Sequence, residues 1–358
     1  MLQCNFRRSL LVVTEHRYEV GKVPAGHRTS VIYGNNIKAL VCLLSTEGFI
    51  AMDRLSNFIS EITYGAINLS DATIEKFMTD LSSKLDGEIE AIKTDLLNSP
   101  VMHTDETPMD VTQKPDYSEE IPVLRKSKHT SFTSYIRTHS NKQSTLYTVN
   151  PQKDAQGCER DGLLPQYIGI LSHDHEAKFY KYGTAHATCG AHLLRELKGL
   201  FELQKISWAD EMRKFIANIN NHKNNDLEKG LSQCTPGVLA YFEKGYDSLL
   251  VSGRIYLAEL KENELGQNEL RRMINRLTEY KDCYLLFIRD YRAPFTNNLA
   301  ERDLRPDKTK QKVSGCFRSW HGFQHFARVR SFFSTVKKRS GNLFLSANSV
   351  LQSSPVLQ

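Results

Sequence analysis

The chain of 358 residues contains no run of about 18 consecutive apolar residues, so it offers no candidate membrane span. Its opening, MLQCNFRRSLLVVTEHRYEV, mixes basic and apolar residues, but the apolar stretch is too short and too soon broken by charge to read as a signal peptide. Cysteine is scattered: Cys4, Cys42, Cys158, Cys189, Cys234, Cys283 and Cys316 are odd in number and include no CxxC pair. That pattern excludes a disulfide framework and points to a reducing compartment, with a cytoplasmic location as the expectation. There is no internal repeat and no low-complexity tract, and Gly and Pro are modest.

What remains is the composition of an ordinary folded protein, 40% hydrophobic and 25% charged. The length is too great for one small core and implies two or three structural units. The formal net charge of +6 is mild but unevenly spread. Between Arg302 and Arg339 there are eleven Lys/Arg against two Asp/Glu, so the rest of the chain is slightly acidic. A basic stretch of this kind suits a polyanion, because each phosphate contact releases condensed counterions. A solvated, lysine-rich surface helix has the same composition.

Residues 1–35 have weak periodicity and read as an irregular or partly extended leader. From Asn36 to 98, apolar residues recur at helical spacing, with Ser70 a plausible N-cap for a long third helix. Two short helices and a third suggest a helix-turn-helix-like region, the alternative being a plain bundle. From 99 to 183 the period shifts. PVMHTDETPMDV, SFTSYIRTHS, STLYTVNP and YIGILSHD read as roughly four strands, the middle two forming a hairpin across Asn141-Lys142-Gln143. The stretch 184–290 is again helical. The block 291–345 opens on Asn297-Asn298 and becomes basic, and 346–358 reads as a loose tail. The fold class is therefore α/β or α+β, with a long helical segment between strands and a final helix.

Phosphodiester chemistry with two metal ions needs carboxylates gathered from distant parts of the chain. Asp105 lies in the first strand segment, Asp174 ends YIGILSHD, and Glu301 falls in the first turn of the helix after Asn297. Each has a plainer explanation. Asp105 has Glu106 and Asp110 as rivals, and Asp174 can cap a following helix. Asn298 and Glu301 have the spacing of a capping box. A further pattern, His186-x-x-Cys189-x-x-His192, would align three possible zinc ligands on one helix face, but without an obvious fourth ligand zinc is set aside. His173, His175 and His192 remain candidates for assisting at an adjacent metal site.

HTDET, GILSHDHEAKFYKYGTAHATCGAHLLRELK, RDYRAPFTNNLAERDLRPDKTKQKVSGCFR and FARVRSFFSTVKKRSGN together resemble the insertion-sequence transposases of the sixty-six type. The resemblance runs from about Tyr33 to Val350, and Pro294–Arg318 is its most specific part. It implies a ribonuclease-H-like catalytic core interrupted by a helical insertion. It also implies an Asp–Asp–Glu triad at Asp105, Asp174 and Glu301 that holds two Mg²⁺ or Mn²⁺ ions. The implied activity is hydrolysis at transposon ends followed by attack of a 3′-hydroxyl on target DNA. Implied partners are DNA, further copies of the chain on paired ends, and accessory proteins of the same element, with a nucleoid-associated location.

Arg302, Arg305, Lys308, Lys310, Lys312 and Arg318 are then expected to meet phosphates. Phe317 and Trp320 are expected either to stack on an unpaired base or to pack in the core. Pro306 is expected to end or kink the helix bearing Glu301. The sequence departs from the family near its start, where no cysteine pair occurs in VTEHRYEVGKVPAGHRTSVIYG, and at Glu176 and Gly190. The leader is thus expected to be shortened. A transposition-deficient remnant, a DNA-binding protein without chemistry and a generic ribonuclease-H-type nuclease stand as alternatives.

Overall fold

A computed structural model describes residues 32–113, 132–260 and 265–352, together with the backbone of 3–4, 10–13 and 17–20. Four short strands come first: β1 (Gln3–Cys4), β2 (Leu10–Val13), β3 (Arg17–Val20) and β4 (Ile32–Tyr33). β1 pairs antiparallel with β4, and β2 with β3. Helices α1 (Asn35–Thr46), α2 (Met52–Ile62), α3 (Asp71–Ser82) and α4 (Asp86–Leu97) follow. Next come β5 (Val101–Val111), β6 (Phe132–Ser140), β7 (Thr145–Asn150), the short helix α5 (Ala155–Asp161), β8 (Ile170–His173) and β9 (Ala185–Thr188). A helical block contains α6 (Gly190–Gln204), α7 (Ser207–Glu228), α8 (Pro236–Glu259), α9 (Gln267–Glu279) and α10 (Lys281–Arg289). The last helices are α11 (Asn298–Ser314), α12 (Trp320–Lys338) and α13 (Leu343–Gln352). Among the described residues no helix is long and apolar enough to cross a membrane.

The chain forms two compact units that interleave in sequence. One comprises Met1–Ile92, Met109–Thr133 and Pro306–Gln358, the other Lys93–Pro108 and Ser134–Arg305. The first is helical. Ser70 caps α3 by accepting from the Thr73 amide at 3.2 Å, as its position predicts. The helix buries Ile74, Phe77, Met78 and Leu81 and packs against α12 and α1. Its polar residues include Asp71, Glu75 and Asp80, taken up by Arg318 at 2.8 Å, Ser319 at 3.4 Å and Lys38 at 2.8 Å. The helix thus buries one side, and its acidic residues on the other are met by residues of the same unit. The segment read as a loose tail is instead helical through Gln352 in α13, which packs on α1. Ser353–Gln358 and most of the leader lie outside the described residues.

In the second unit a five-stranded mixed sheet has the order β7-β6-β5-β8-β9. The expected hairpin is β6–β7. Its turn is fixed by Asn141, whose Oδ1 accepts from the Gln143 and Ser144 amides at 2.8 and 2.6 Å. β8 pairs parallel with both β5 and β9. β9 was not expected, since its four residues, AHAT, are too few to show a period of two beside the helical AHLLREL. The helices α6–α10 enclose their own apolar core around Trp208, Tyr246, Leu270 and Leu285. Trp208 donates to the Leu249 carbonyl at 2.7 Å, and Gly253 makes room for it, since a Cβ there would lie 2.6 Å from the indole.

One face of the sheet changes character along the strands. Ile170 and Ala187 form an apolar patch with Ala293 near the strand starts. Farther along, His103 and Ser172, which are register partners, both reach Asn297. Beyond them on the same face come the positions of Asp105 and Asp174.

Candidate active site

Asp105 and Asp174 come together through strand register. His103 pairs with Ser172 across β5 and β8 at the end of their shared register, and Asp105 and Asp174 follow two residues on, close enough that the charge of Asp174 acts on Asp105. Neighbouring strands lie about 4.8 Å apart, and residues two apart share a face. Asn297 fastens this arrangement to α11. Its Oδ1 lies 3.1 Å from His103 Nδ1 and 3.4 Å from Ser172 Oγ, and its Nδ2 donates to the Thr104 carbonyl at 2.8 Å. Glu301 stands one helical turn beyond Asn297, its amide donating to the Asn297 carbonyl at 3.2 Å.

The capping explanation for Glu301 does not hold. α11 begins at Asn298, so Asn297 precedes the helix and Glu301 sits one position too far along for a capping box. Its carboxylate instead meets His192 Nδ1 at 3.6 Å and Cys189 Sγ at 3.7 Å. The α11 helix also continues through Pro306 to Ser314 rather than ending there.

The electrostatics of the aspartates are those of an unneutralised acidic site. Burial, then the charge of Asp174, raises the Asp105 carboxyl to about 7, with Glu301 and Glu176 adding to the rise. Burial, then Glu176, raises Asp174 to about 6, although His192, Lys153 and Lys178 oppose it. Asp174 Oδ1 is buried with no hydrogen-bond partner among the described residues. Asp105 Oδ1 accepts from the Glu106 amide at 2.8 Å.

The two rivals of Asp105 have other work. Glu106 points to the opposite face, where Arg137 donates to it at 2.8 Å and Lys178 also binds it. Asp110 lies farther along the strand, in the other unit, and accepts from Thr133 Oγ1 at 3.3 Å.

The histidines divide. His192 reaches Glu301, whereas His173 does not: its Nε2 lies 3.2 Å from His186 Nδ1, on the face away from the aspartates. Burial lowers His173 to about 3, so it is neutral at physiological pH. His175 bonds Tyr180 OH at 2.7 Å. The His186-x-x-Cys189-x-x-His192 spacing therefore does not form one helix face. His186 belongs to β9, the chain turns at Cys189, and only Cys189 and His192 converge. Their ligand atoms and that of Glu301 lie within 4.8 Å of one another, the one such group of three His, Cys, Asp or Glu among the described residues.

Among the basic candidates, Arg302, Arg305, Lys308 and Lys312 are exposed on α11, while Lys310 is buried and donates to the Ser45 and Ile50 carbonyls at 3.3 and 3.4 Å. Lys310 is thus a packing residue, not a phosphate contact. Arg318 is exposed and ion-paired with Asp71. Phe317 stacks on Phe323 with centroids 4.6 Å apart, and Trp320 is buried against the same ring, so both serve the core. Asn297 escaped the sequence reading because an asparagine before a helix is ordinarily a cap; only the distant partners His103 and Ser172 reveal its clamping role.

Comparison with known proteins gives the class first, that of the transposases. The family described as "Transposase IS66 family" matches residues 30–325, most of the chain, and this protein belongs to it. No curated protein matches. The "Crystal structure of the Mos1 Strand Transfer Complex" shares 13% identity, covers 45% of this chain and 55% of that one, and has a TM-score of 0.14. This chain thus spans about half the length of that one, and so low a score carries no structural argument.

Proposed function

We propose that the protein is a DNA transposase in which Asp105, Asp174 and Glu301 hold divalent metal ions of the Mg²⁺ or Mn²⁺ type. Its reactions would be phosphodiester hydrolysis at transposon ends and transfer of the resulting 3′-hydroxyl to target DNA. The observation that carries this reading is the Asn297 clamp. One side chain bonds both strands immediately before the two aspartates, and the same helix delivers Glu301 a turn later. The sheet order, with the antiparallel β6–β7 pair on one side of β5 and the parallel β8 and β9 on the other, suits a ribonuclease-H-like core with α6–α10 as the insertion.

The donor set fits hard cations, which prefer carboxylate oxygens. The unpartnered buried oxygen of Asp174 and the negative charges crowding the buried Asp105 are costs that cations would remove. When bound, such ions supply Lewis acidity and lower the pKa of an attacking water. The protein's own residues do the rest. Asn297 ties β5 to β8 just before the two aspartates, and His192 Nδ1 lies 3.6 Å from the Glu301 carboxylate. Exposed Arg302, next to Glu301, is available to a phosphate. No side chain need become covalently attached to DNA.

The test is cleavage of the element's own end sequence with Mg²⁺ or Mn²⁺, comparing the protein with Asp105→Asn, Asp174→Asn and Glu301→Gln. Loss of cleavage with retained DNA binding in all three is expected. Undiminished cleavage in any of them would remove that residue from the triad, and in all three would overturn the proposal.

A further inference from the structure

We infer that Cys189, His192 and Glu301 form a site for one soft divalent cation of the zinc type, chemically distinct from a hard-ion site on the aspartates. The Glu301 oxygen lies 3.7 Å from Cys189 Sγ and 3.6 Å from His192 Nδ1, and all three ligand atoms fall within 4.8 Å of one another. Zinc bonds sulfur at about 2.3 Å and nitrogen or oxygen at about 2.0–2.2 Å, so a tetrahedral ion separates its ligands by about 3.4–3.6 Å. The two distances to Glu301 already stand near those separations, and small rotations of Cys189 and His192 would complete the set. Sulfur and imidazole select Zn²⁺ or Co²⁺ over Mg²⁺.

The sulfur stands where a ligand to a cation is accommodated. The Asn297 amide donates to Cys189 Sγ at 3.3 Å, and Cys189 immediately precedes the 15-residue helix α6, whose N-terminus favours negative charge. Binding replaces the thiol proton, which leaves to solvent, with a metal–sulfur bond; nothing is oxidised or reduced. The side chains of His192 and Glu301 are 39% and 23% exposed, which leaves the fourth position open to a water molecule. The sequence set zinc aside for want of a further ligand in His186-x-x-Cys189-x-x-His192. The fold removes His186 and supplies Glu301 from 109 residues beyond His192. An ion held here engages Glu301, so, resting on the proposed function, zinc competes with Mg²⁺-dependent cleavage.

The decisive experiment needs neither DNA nor activity. Full-length protein, stripped of metal, is titrated with Co²⁺ in excess Mg²⁺ and followed by absorption. One equivalent is expected to give a thiolate-to-cobalt charge-transfer band and tetrahedral ligand-field bands. The charge-transfer band should vanish in Cys189→Ser, and Co²⁺ affinity should fall by about tenfold or more in His192→Ala. Absence of the band in the wild type, or its survival at unchanged affinity in both variants, overturns the site. If thermal melting shows Cys189→Ser unfolded, His192→Ala decides: weakened binding upholds the site and unchanged binding rejects it. Because the readout is spectroscopic, failure here leaves the catalytic proposal standing, and the reverse also holds.

Discussion

Asp105 and Glu106 are neighbours on β5 that face opposite sides of the sheet, and the two sides treat a carboxylate in opposite ways. Glu106 is enclosed: its side chain and that of Arg137 are each 1% exposed, with Lys178 a second partner and Asp161 completing the arginine's contacts. Asp105 meets other acids, and its carboxyl is pushed up to about 7 by burial and then by Asp174. A buried charge that is fully paired is costly to unpair, whereas acids held side by side repel one another until a proton or a cation relieves them. The strand thus separates a face of paired charge from the face on which the metal site is proposed.

The comparison breaks if the two residues respond alike to neutralisation. The largest effect expected is on catalysis: Asp105→Asn should lower Mg²⁺-dependent end cleavage by on the order of a thousandfold or more, measured in single-turnover assays. It should leave the fold intact. Glu106→Gln should do the reverse in kind, leaving Arg137 short of a partner and costing about 3 kcal/mol. That would lower Tm by roughly 6–12 °C. Equal thermal stability of the two variants would erase the distinction drawn between the faces.

Much of this was legible in the sequence, but unevenly. The hairpin and β8 were readable because β-branched residues, apolar runs and turn residues are local signals. Asp105 could be placed within the first strand and Asp174 at the end of a later one, yet nothing local separated Asp105 from Glu106. That choice depends on Arg137, which is 31 residues away, and Lys178, which is 72 away. The motif resemblance supplied what spacing could not. Long-range packing accounts for the misreadings too. His186 and His192 looked like one helix face because a four-residue strand and a turn at Cys189 leave no periodic trace. Lys310 looked like a phosphate contact because charge is visible in a sequence and burial is not. α13 looked like a loose tail because its polar residues hide the Ala347, Asn348 and Leu351 stripe it buries.

A middle-sized effect should appear in the pH dependence of stability without metal. The Asp105 carboxyl ionises near 7 in the fold and near 3.8 when unfolded. Between those values the native state holds a proton that the unfolded state has released. Stability from this group therefore falls as pH rises from about 4 to about 7, then levels off. Asparagine cannot ionise, so Asp105→Asn should match the wild type near pH 4 and exceed it at pH 8. The gain, reduced for partial solvent exposure, is about 1–2 kcal/mol, or a few degrees in Tm. Adding Mg²⁺ at pH 8 should raise the wild-type Tm and leave the variant unmoved. A wild type stabilised by rising pH would contradict the repulsion on this face.

Smaller still is the effect expected from the exposed basic residues of α11, which sharpens the same contrast between charges used within the fold and charges left for a ligand. Lys310 spends its ammonium on two backbone carbonyls, and burial lowers it to about 8, whereas Lys308 and Lys312 are exposed on the same helix. If Lys308 meets a phosphate, Lys308→Ala should weaken binding to all DNA sequences about equally. It should also reduce the slope of log K against log salt by about one. Lys310→Met should leave that slope unchanged and, by removing a buried cation, hold or raise Tm. Fluorescence anisotropy across a salt series measures both. A slope that falls for Lys310→Met and not for Lys308→Ala would mean that burial on this helix does not decide which lysines reach DNA.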